Sequence, residues 1–258
     1  QPESTDPWVS GAAFNEAVTF ITTATSTNAP TDADVTASIT TITTASTSTS
    51  GSNFTLTNTN NQTTGGADNF TGGTGDDTFL ATSSDSYDNG DVIDGGAGTD
   101  TLTARYAVSA DKTVLGSITN VEHLVVDADD ANSSAAHTLT VGVDGFTGLE
   151  SVTVKNADAV AAQQDTVTIN NIAAGVELGI TNGDADHDSD FVFKTTTAAD
   201  DEATLNLNAA LADEITITGV ETLTIDGESG KSTIDTMVTA AATKYIVTGS
   251  GKVVLSDI

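Results

Sequence analysis

Two nine-residue segments carry the most specific pattern in this chain: GGTGDDTFL at residues 72–80 and GGAGTDTLT at residues 95–103, both of the form G-G-x-G-x-D-x-U-x with U a large apolar residue. Each has a half-copy nine residues earlier, since Asp68 and Phe70 precede Asp77 and Phe79 in phase, and Asp91 and Ile93 precede Asp100 and Leu102. Gly66 and Asn89 stand two residues before the Asp of each half-copy. Four copies in one phase ask for one chemical reason, and the residue types suggest it. Calcium is a hard cation that takes about six to eight oxygen ligands at roughly 2.3 to 2.6 Å. Glycine admits the positive-φ conformations that turn successive carbonyls toward one point, and the Asp closing each loop adds charged oxygen. The candidate metal-ligating set is Asp68, Asp77, Asp91 and Asp100, with the loop positions Gly72, Gly75, Gly95 and Gly98.

Such loops need strands to hold them. Each x-U-x is a minimal strand whose U points into a core. In a parallel roll one turn is two nonapeptides, and a cation lies between neighbouring turns. The separations from Asp68 to Asp91 and from Asp77 to Asp100 are both 23, so one five-residue insertion within residues 81–87 keeps the two edges in step. Further on, Thr or Ser alternates with Val, Ile or Leu in HTLTVGV, ESVTVKN, DTVTINNI, ATLNLNA, EITITGV, ETLTIDG, KYIVTGS and KVVLS, which predicts strands with one buried face. A unit recurs among them: ITNVEHLVVDA from Ile118, FTGLESVTVKN from Phe146 and ITGVETLTIDG from Ile217. It reads as a corner at Asn120, Gly148 or Gly219 that feeds a strand, and its unequal spacing predicts rungs of unequal length.

Residues 1–52 hold no Lys or Arg and are dominated by Thr, Ser and Ala. Trp8, Phe14, Val18 and Ile21 fit one face of a short helix begun by Asp6 and Pro7, and residues 35–44 read equally as helix or strand. The expected architecture is all-β, an elongated parallel β-solenoid in three zones. Residues 1–52 form a partly helical or extended N-terminal segment, 53–104 a cation-binding β-roll, and 105–258 an irregular β-solenoid. Residues 36–44 or 53–58 are candidates for adding as a strand to a second copy.

The paired loops and their spacer, GGADNFTGGTGDDTFLATSSDSYDNGDVIDGGAGTDTLTA, resemble the RTX calcium-binding β-roll. With the later I-T-G-V-E-T-L-T-I type units in a Thr-rich, cysteine-free chain, residues 54–258 resemble the RTX-bearing surface-layer proteins of Gram-negative bacteria. That resemblance implies type I export, a secreted and cell-surface location, and calcium-dependent assembly of the protein with itself. Carried over by position, the ligands would be the carboxylates of Asp77 and Asp100 with carbonyls around Gly72, Thr74, Gly95 and Ala97.

Composition narrows the function. With 37 acidic against 7 basic residues the net charge is -30, which excludes unaided binding to nucleic acid or anionic lipid as the main activity. No cysteine is present, so disulfides, thiolate metal sites and cysteine nucleophiles are absent, and no apolar run is long enough for a membrane insertion. Residues 184–190, DADHDSD, place Asp184, Asp186, Asp188 and Asp190 at alternate positions like the start of a calcium loop, but lack the following Gly and distal Glu of an EF-hand. They form a secondary metal set, and a solvated loop is the favoured reading. Glu122, Glu150 and Glu221 read as polar turn residues, and His123, His137 and His187 have no ligand spacing. GESGKS at residues 227–232 reads as a turn rather than a phosphate loop, and no G-x-S-x-G elbow exists. The expected function is therefore non-enzymatic: an extracellular structural protein that self-assembles with calcium into a surface layer or filament. The rival expectations are an RTX adhesin or ligand-binding module, with a cell-surface polysaccharide as partner, and the noncatalytic roll of a larger secreted protein.

Overall fold

Strict alternation of apolar and polar residues gives a strand one face for a core and one for water, and here it does so rung after rung. The computed structural model describes residues 50–57, 67–83, 86–107, 110–115, 117–129, 136–156, 165–182, 187–194 and 201–258. The expected N-terminal helix, the stretch 35–44, and Asp184 and Asp186 lie outside the described residues. The first strands are β1 (Asn53–Leu56), β2 (Asn69–Thr71), β3 (Thr78–Ala81), β4 (Val92–Asp94), β5 (Thr101–Ala107), β6 (Lys112–Leu115) and β7 (Ser117–Thr119). Next come β8 (His123–Asp129), β9 (Thr138–Gly142), β10 (Phe146–Thr147), β11 (Ser151–Asn156), β12 (Asp165–Ile172), β13 (Glu177–Thr181) and β14 (His187–Phe193). The last are β15 (Glu202–Asn208), β16 (Leu211–Thr218), β17 (Thr222–Ser229), β18 (Lys231–Val238), β19 (Lys244–Gly249) and β20 (Lys252–Asp257).

These make three parallel sheets. The long one has nine strands in the order β1-β3-β5-β8-β11-β13-β15-β17-β19; a four-stranded sheet runs β2-β4-β7-β10, and a seven-stranded sheet runs β6-β9-β12-β14-β16-β18-β20. Together they form a β-solenoid of about seven turns, all-β with no helix among the described residues. At about 4.8 Å between strands, the long sheet extends on the order of 40 Å along the solenoid axis. The short sheet closes the early rungs, the rungs β5–β6–β7 and β8–β9–β10 carry a strand of each sheet, and from β11 onward only the long and the seven-stranded sheets alternate. Position 104 falls inside β5, and one core runs on both sides of it.

Register follows the 23-residue spacing where the two nonapeptides lie: Asn69 pairs with Val92 and Thr78 with Thr101. Elsewhere the rungs differ in length, as His123 pairs with Ser151 and Glu202 with Thr222. The recurring corner unit behaves as its residues predict. Asn120, Gly148 and Gly219 take φ of 52°, 91° and 86°, left-handed values that turn the chain sharply into β8, β11 and β17. Gly230, at φ 69°, turns β17 into β18, so the GESGKS segment is a corner between sheets.

One column of core side chains runs the length of the long sheet, one per rung: Phe54, Phe79, Leu102, Leu124, Val152, Leu178, Leu205, Ile225 and Val247, each in register with the next. Phe54 and Phe79 stack with centroids 4.7 Å apart, and Phe70 packs beside them from the facing sheet. Every member is buried except Val247, which is 62% exposed. Truncating Ile225 to Ala should therefore cost about 2 to 5 kcal/mol, because a cavity opens between two rungs. Val247→Ala, in the same column, should cost less than about 0.5 kcal/mol, as exposed positions do. Urea denaturation of the two variants compares them directly, and equal losses would contradict the difference in burial between the two positions.

Candidate metal centre

The two nonapeptide loops sit on one edge of the solenoid, one directly above the other. The loop at residues 72–77 joins β2 to β3, the loop at 95–100 joins β4 to β5, and a shorter corner at 120–122 joins β7 to β8 beneath them. Backbone bonds tie the three levels together: Gly72 N–H donates to Asp94 O at 2.7 Å, Gly95 N–H to Thr119 O at 2.9 Å, and Ala97 N–H to Gly73 O at 2.9 Å. The stacking also explains the first glycine of each loop. A Cβ on Gly72 would run into the Gly95 carbonyl oxygen, and one on Gly95 into the Asn120 carbonyl oxygen. Positive φ, which glycine was expected to allow, is taken in these loops by Gly96 (95°) and Gly98 (137°). Gly72 and Gly95 are required by close approach of the neighbouring rung.

The closing acids form a ladder. Ser52 N–H donates to Asp77 Oδ1 at 2.6 Å, Asp77 N–H to Asp100 Oδ1 at 2.6 Å, and Asp100 N–H to Glu122 Oε2 at 2.7 Å. Glu122 is thus the third carboxylate of the series, a role that reading it as a turn residue missed. The signal was available: Glu122 follows Asp100 by 22 residues, as Asp100 follows Asp77 by 23. The same device recurs at Glu221, which accepts from Asp201 N–H at 2.9 Å, and at Asp165, which accepts from His137 N–H at 2.7 Å.

The opposite edge carries the half-copies. Asp91 accepts from Asp68 N–H and from Asp88 N–H, both at 2.8 Å, while Asp68 accepts from Thr57 N–H at 2.7 Å and Thr57 Oγ1 at 3.0 Å. Burial pushes the Asp91 carboxyl up to about 6, against the pull of those two N–H groups and with the charges of Asp88 and Asp68 adding to the rise.

The two loops differ at one atom. In the first, Gly73 N–H donates to Asp77 Oδ2 at 2.6 Å, so both oxygens of that carboxylate are satisfied. In the second, Gly96 has turned to positive φ and its N–H donates to Asp94 Oδ1 at 3.1 Å instead. Asp100 Oδ2 is left buried beside Gly95 with no hydrogen-bond partner. Burial raises the Asp100 carboxyl, the Asp77 N–H opposes this, and the nearby Asp77, Glu122 and Asp76 carboxylates raise it further. A buried anionic oxygen among like charges and carbonyls fits a hard cation. Among the described residues no three His, Asp or Glu side chains converge on one point, so an ion here would draw most of its ligands from backbone carbonyls and water. Of the loop positions carried over by resemblance, Thr74 and Ala97 are exposed, while Gly75 is buried with Gly98 stacked against its backbone.

The secondary set falls elsewhere. Asp188 and Asp190 were expected in a solvated loop, and they lie instead in β14, because alternate spacing is also the period of a strand. Both face outward on the seven-stranded sheet. Asp188 Oδ1 accepts from Glu214 N–H at 3.1 Å, and Asp190 Oδ2 from Thr168 Oγ1 at 3.2 Å. Burial pushes the Asp188 carboxyl up to about 6, opposed by the Glu214 N–H and helped by the charges of Asp213, Glu214 and Asp190.

No family model, no curated protein and no solved structure matches this chain.

Two outcomes are expected from this geometry. Gly95→Ala should destabilise by at least about 1 to 3 kcal/mol, since a rung must shift to admit the methyl group. Gly73→Ala, whose added Cβ meets nothing within 4 Å, should leave the melting temperature nearly unchanged. The second concerns pH. A carboxyl raised to about 6 in the folded state but ordinary in the unfolded state costs nothing below the unfolded value, and its penalty grows as pH rises from about 4 to 6. Asp188→Asn should therefore stabilise by about 1 kcal/mol at pH 7, allowing for solvent screening at this partly buried site, and by nothing at pH 3.5. Melting curves at the two pH values test the sign.

Proposed function

We propose that this chain is a non-enzymatic, secreted structural protein of the cell surface, a calcium-stiffened solenoid that assembles with copies of itself into a surface layer or filament. The observation that carries the calcium part is the buried, unpartnered Asp100 Oδ2 within two stacked glycine loops. Asp77 and Asp100 would hold the ion, with carbonyls around Gly72, Thr74, Gly95 and Ala97. Asp68 and Asp91, with Gly75 and Gly98, belong to the same two-edged arrangement. The ion would supply the positive charge that stacked carboxylates lack, so its binding free energy would be folding free energy. The assembly part is supported by charge and shape. A solenoid carrying -30 repels its own copies until divalent ions bridge or neutralise its acidic faces.

A second reading, a ligand-binding module for a cell-surface polysaccharide, draws on a groove of about 640 Å³ on the outer face of the long sheet. Ser151, Thr153, Glu177, Thr181 and Asn206 line it with hydroxyl, amide and carboxylate groups suited to sugar hydroxyls.

Calcium at 100 times its dissociation constant should add about 2.7 kcal/mol to stability, and excess chelator should remove it. Asp100→Asn, which keeps an oxygen to accept the Asp77 N–H, should abolish most of the gain. Electron microscopy of the full chain should show lattice or fibre with calcium and dispersed particles in sodium alone. Coincident melting curves with calcium and chelator would sink the metal reading, and dispersed particles in both salts would sink the assembly reading.

A further inference from the structure

Three of the four in-phase copies carry glycine two residues before their acid, and the fourth carries Asn89. The fold gives that exception a task. β6 ends the seven-stranded sheet and pairs there with β9 alone, so on its other side Leu115 N–H donates to a side chain, Asn89 Oδ1, at 2.7 Å. Asn89 and Gly90 form the exposed tip of a turn in which Asp91 N–H donates to Asp88 O at 3.2 Å and Asp88 N–H to Asp91 Oδ2 at 2.8 Å. Gly90 N–H donates to Asp88 Oδ1 at 2.7 Å. The turn therefore has a donor drawing electrons from the Asn89 side-chain carbonyl and a carboxylate holding the proton of the Gly90 nitrogen. That amide carbon and that nitrogen are the two atoms whose joining closes a five-membered ring.

We propose that Asn89–Gly90 is a self-modification site, at which the folded turn promotes loss of the Asn89 side-chain amide. With no Cβ at Gly90, the backbone is free to bring its nitrogen onto Asn89 Cγ. The nitrogen passes its proton to Asp88 Oδ1 as its electron pair forms the bond to Cγ, and the carbonyl pair moves onto Asn89 Oδ1, where Leu115 N–H stabilises the charge. The pair then returns and the Cγ–Nδ2 bond breaks. Nδ2 leaves as ammonia carrying the proton held by Asp88, and a succinimide ring remains. Water, which reaches the exposed turn, opens the ring at one of its two carbonyls. Opening at one gives aspartate, and opening at the other gives isoaspartate, with the main chain rerouted through the former side chain. Water is the one co-reactant, and nothing is oxidised or reduced. The products differ in effect. Aspartate adds a negative charge beside Asp88 and Asp91, whereas isoaspartate lengthens the main chain and withdraws the oxygen that met Leu115, so the corner no longer caps the edge of β6.

Peptide mass spectrometry of the full chain, incubated with calcium at neutral pH, reads amide loss at Asn89 against the second Asn–Gly pair of the sequence, Asn182–Gly183. Asn89 should convert about tenfold faster in the folded chain than in the same chain unfolded in urea, because only the fold brings Leu115 to it. Two variants test the flanking groups separately. Leu115→Pro removes the N–H at an edge strand, and Asp88→Asn keeps an oxygen for the Gly90 N–H but takes up no proton. Each should slow Asn89 by about tenfold and leave Asn182 unchanged. Circular dichroism shows which variants keep the fold, and the comparison of folded with unfolded chain needs neither of them. A folded rate equal to or below the unfolded one, or a folded variant that loses the Asn89 amide as fast as the unaltered chain, overturns the proposal.

Discussion

Everything in this structure depends on one requirement: each rung must hand its backbone N–H and C=O groups to the rung above and below, in register, through the corners as well as the strands. In the strands the parallel ladder does this without help. At the corners some N–H groups still meet a carbonyl of the next rung, as at Gly72 and Gly95, while others point along the axis with none to meet them. Carboxylates fill that role at Ser52, Asp77, Asp100, His137 and Asp201, whose N–H groups each donate to an acid of the following rung. Hydrogen bonds to ionised acceptors contribute roughly 1.5 to 3 kcal/mol each, about twice a neutral bond. The acids that make the chain self-repelling are, in part, the groups that bind its rungs together.

The same requirement explains why the two nonapeptide loops are not equivalent. Stacking them forces Gly72 and Gly95 to accept a neighbouring carbonyl at close range, and a single difference in backbone conformation at Gly96 then decides which N–H meets which acid. Asp77 ends with both oxygens satisfied and Asp100 with one. An unsatisfied anionic oxygen in a buried site is costly, and a proton or a cation relieves it. The upward shift of the Asp100 carboxyl and the case for a cation have the same origin.

Away from the loops the core is mostly apolar, and a polar layer interrupts it on the seven-stranded sheet. Ser189 sits between Val167 and Ile215 in register, fully buried, with no partner for its hydroxyl. His187, beside Asp165 in the next position, is buried enough that desolvation pushes its imidazole down to about 4. Ionising it therefore opposes the fold as pH falls below the ordinary histidine range, in the opposite sense to its neighbour Asp188.

Local chemistry was legible in the amino-acid sequence. Period-two alternation marked the strands that carry the irregular solenoid, the nine-residue phase marked the 23-residue rung, and Asn120, Gly148 and Gly219 marked corners, because each of these is a property of a few adjacent residues. The all-β solenoid followed from them. What adjacency could not reveal was which rung lies against which. The role of Glu122 as a third carboxylate, the steric demand on Gly72 and Gly95, the placement of residues 53–56 as β1 against β3 of the same chain, and the strand rather than loop at Asp188 and Asp190 all depend on partners more than twenty residues away. A carboxylate is the same group in a solvated loop, a rung cap or a metal site; only the N–H or the empty space that the neighbouring rung brings to it decides which it becomes.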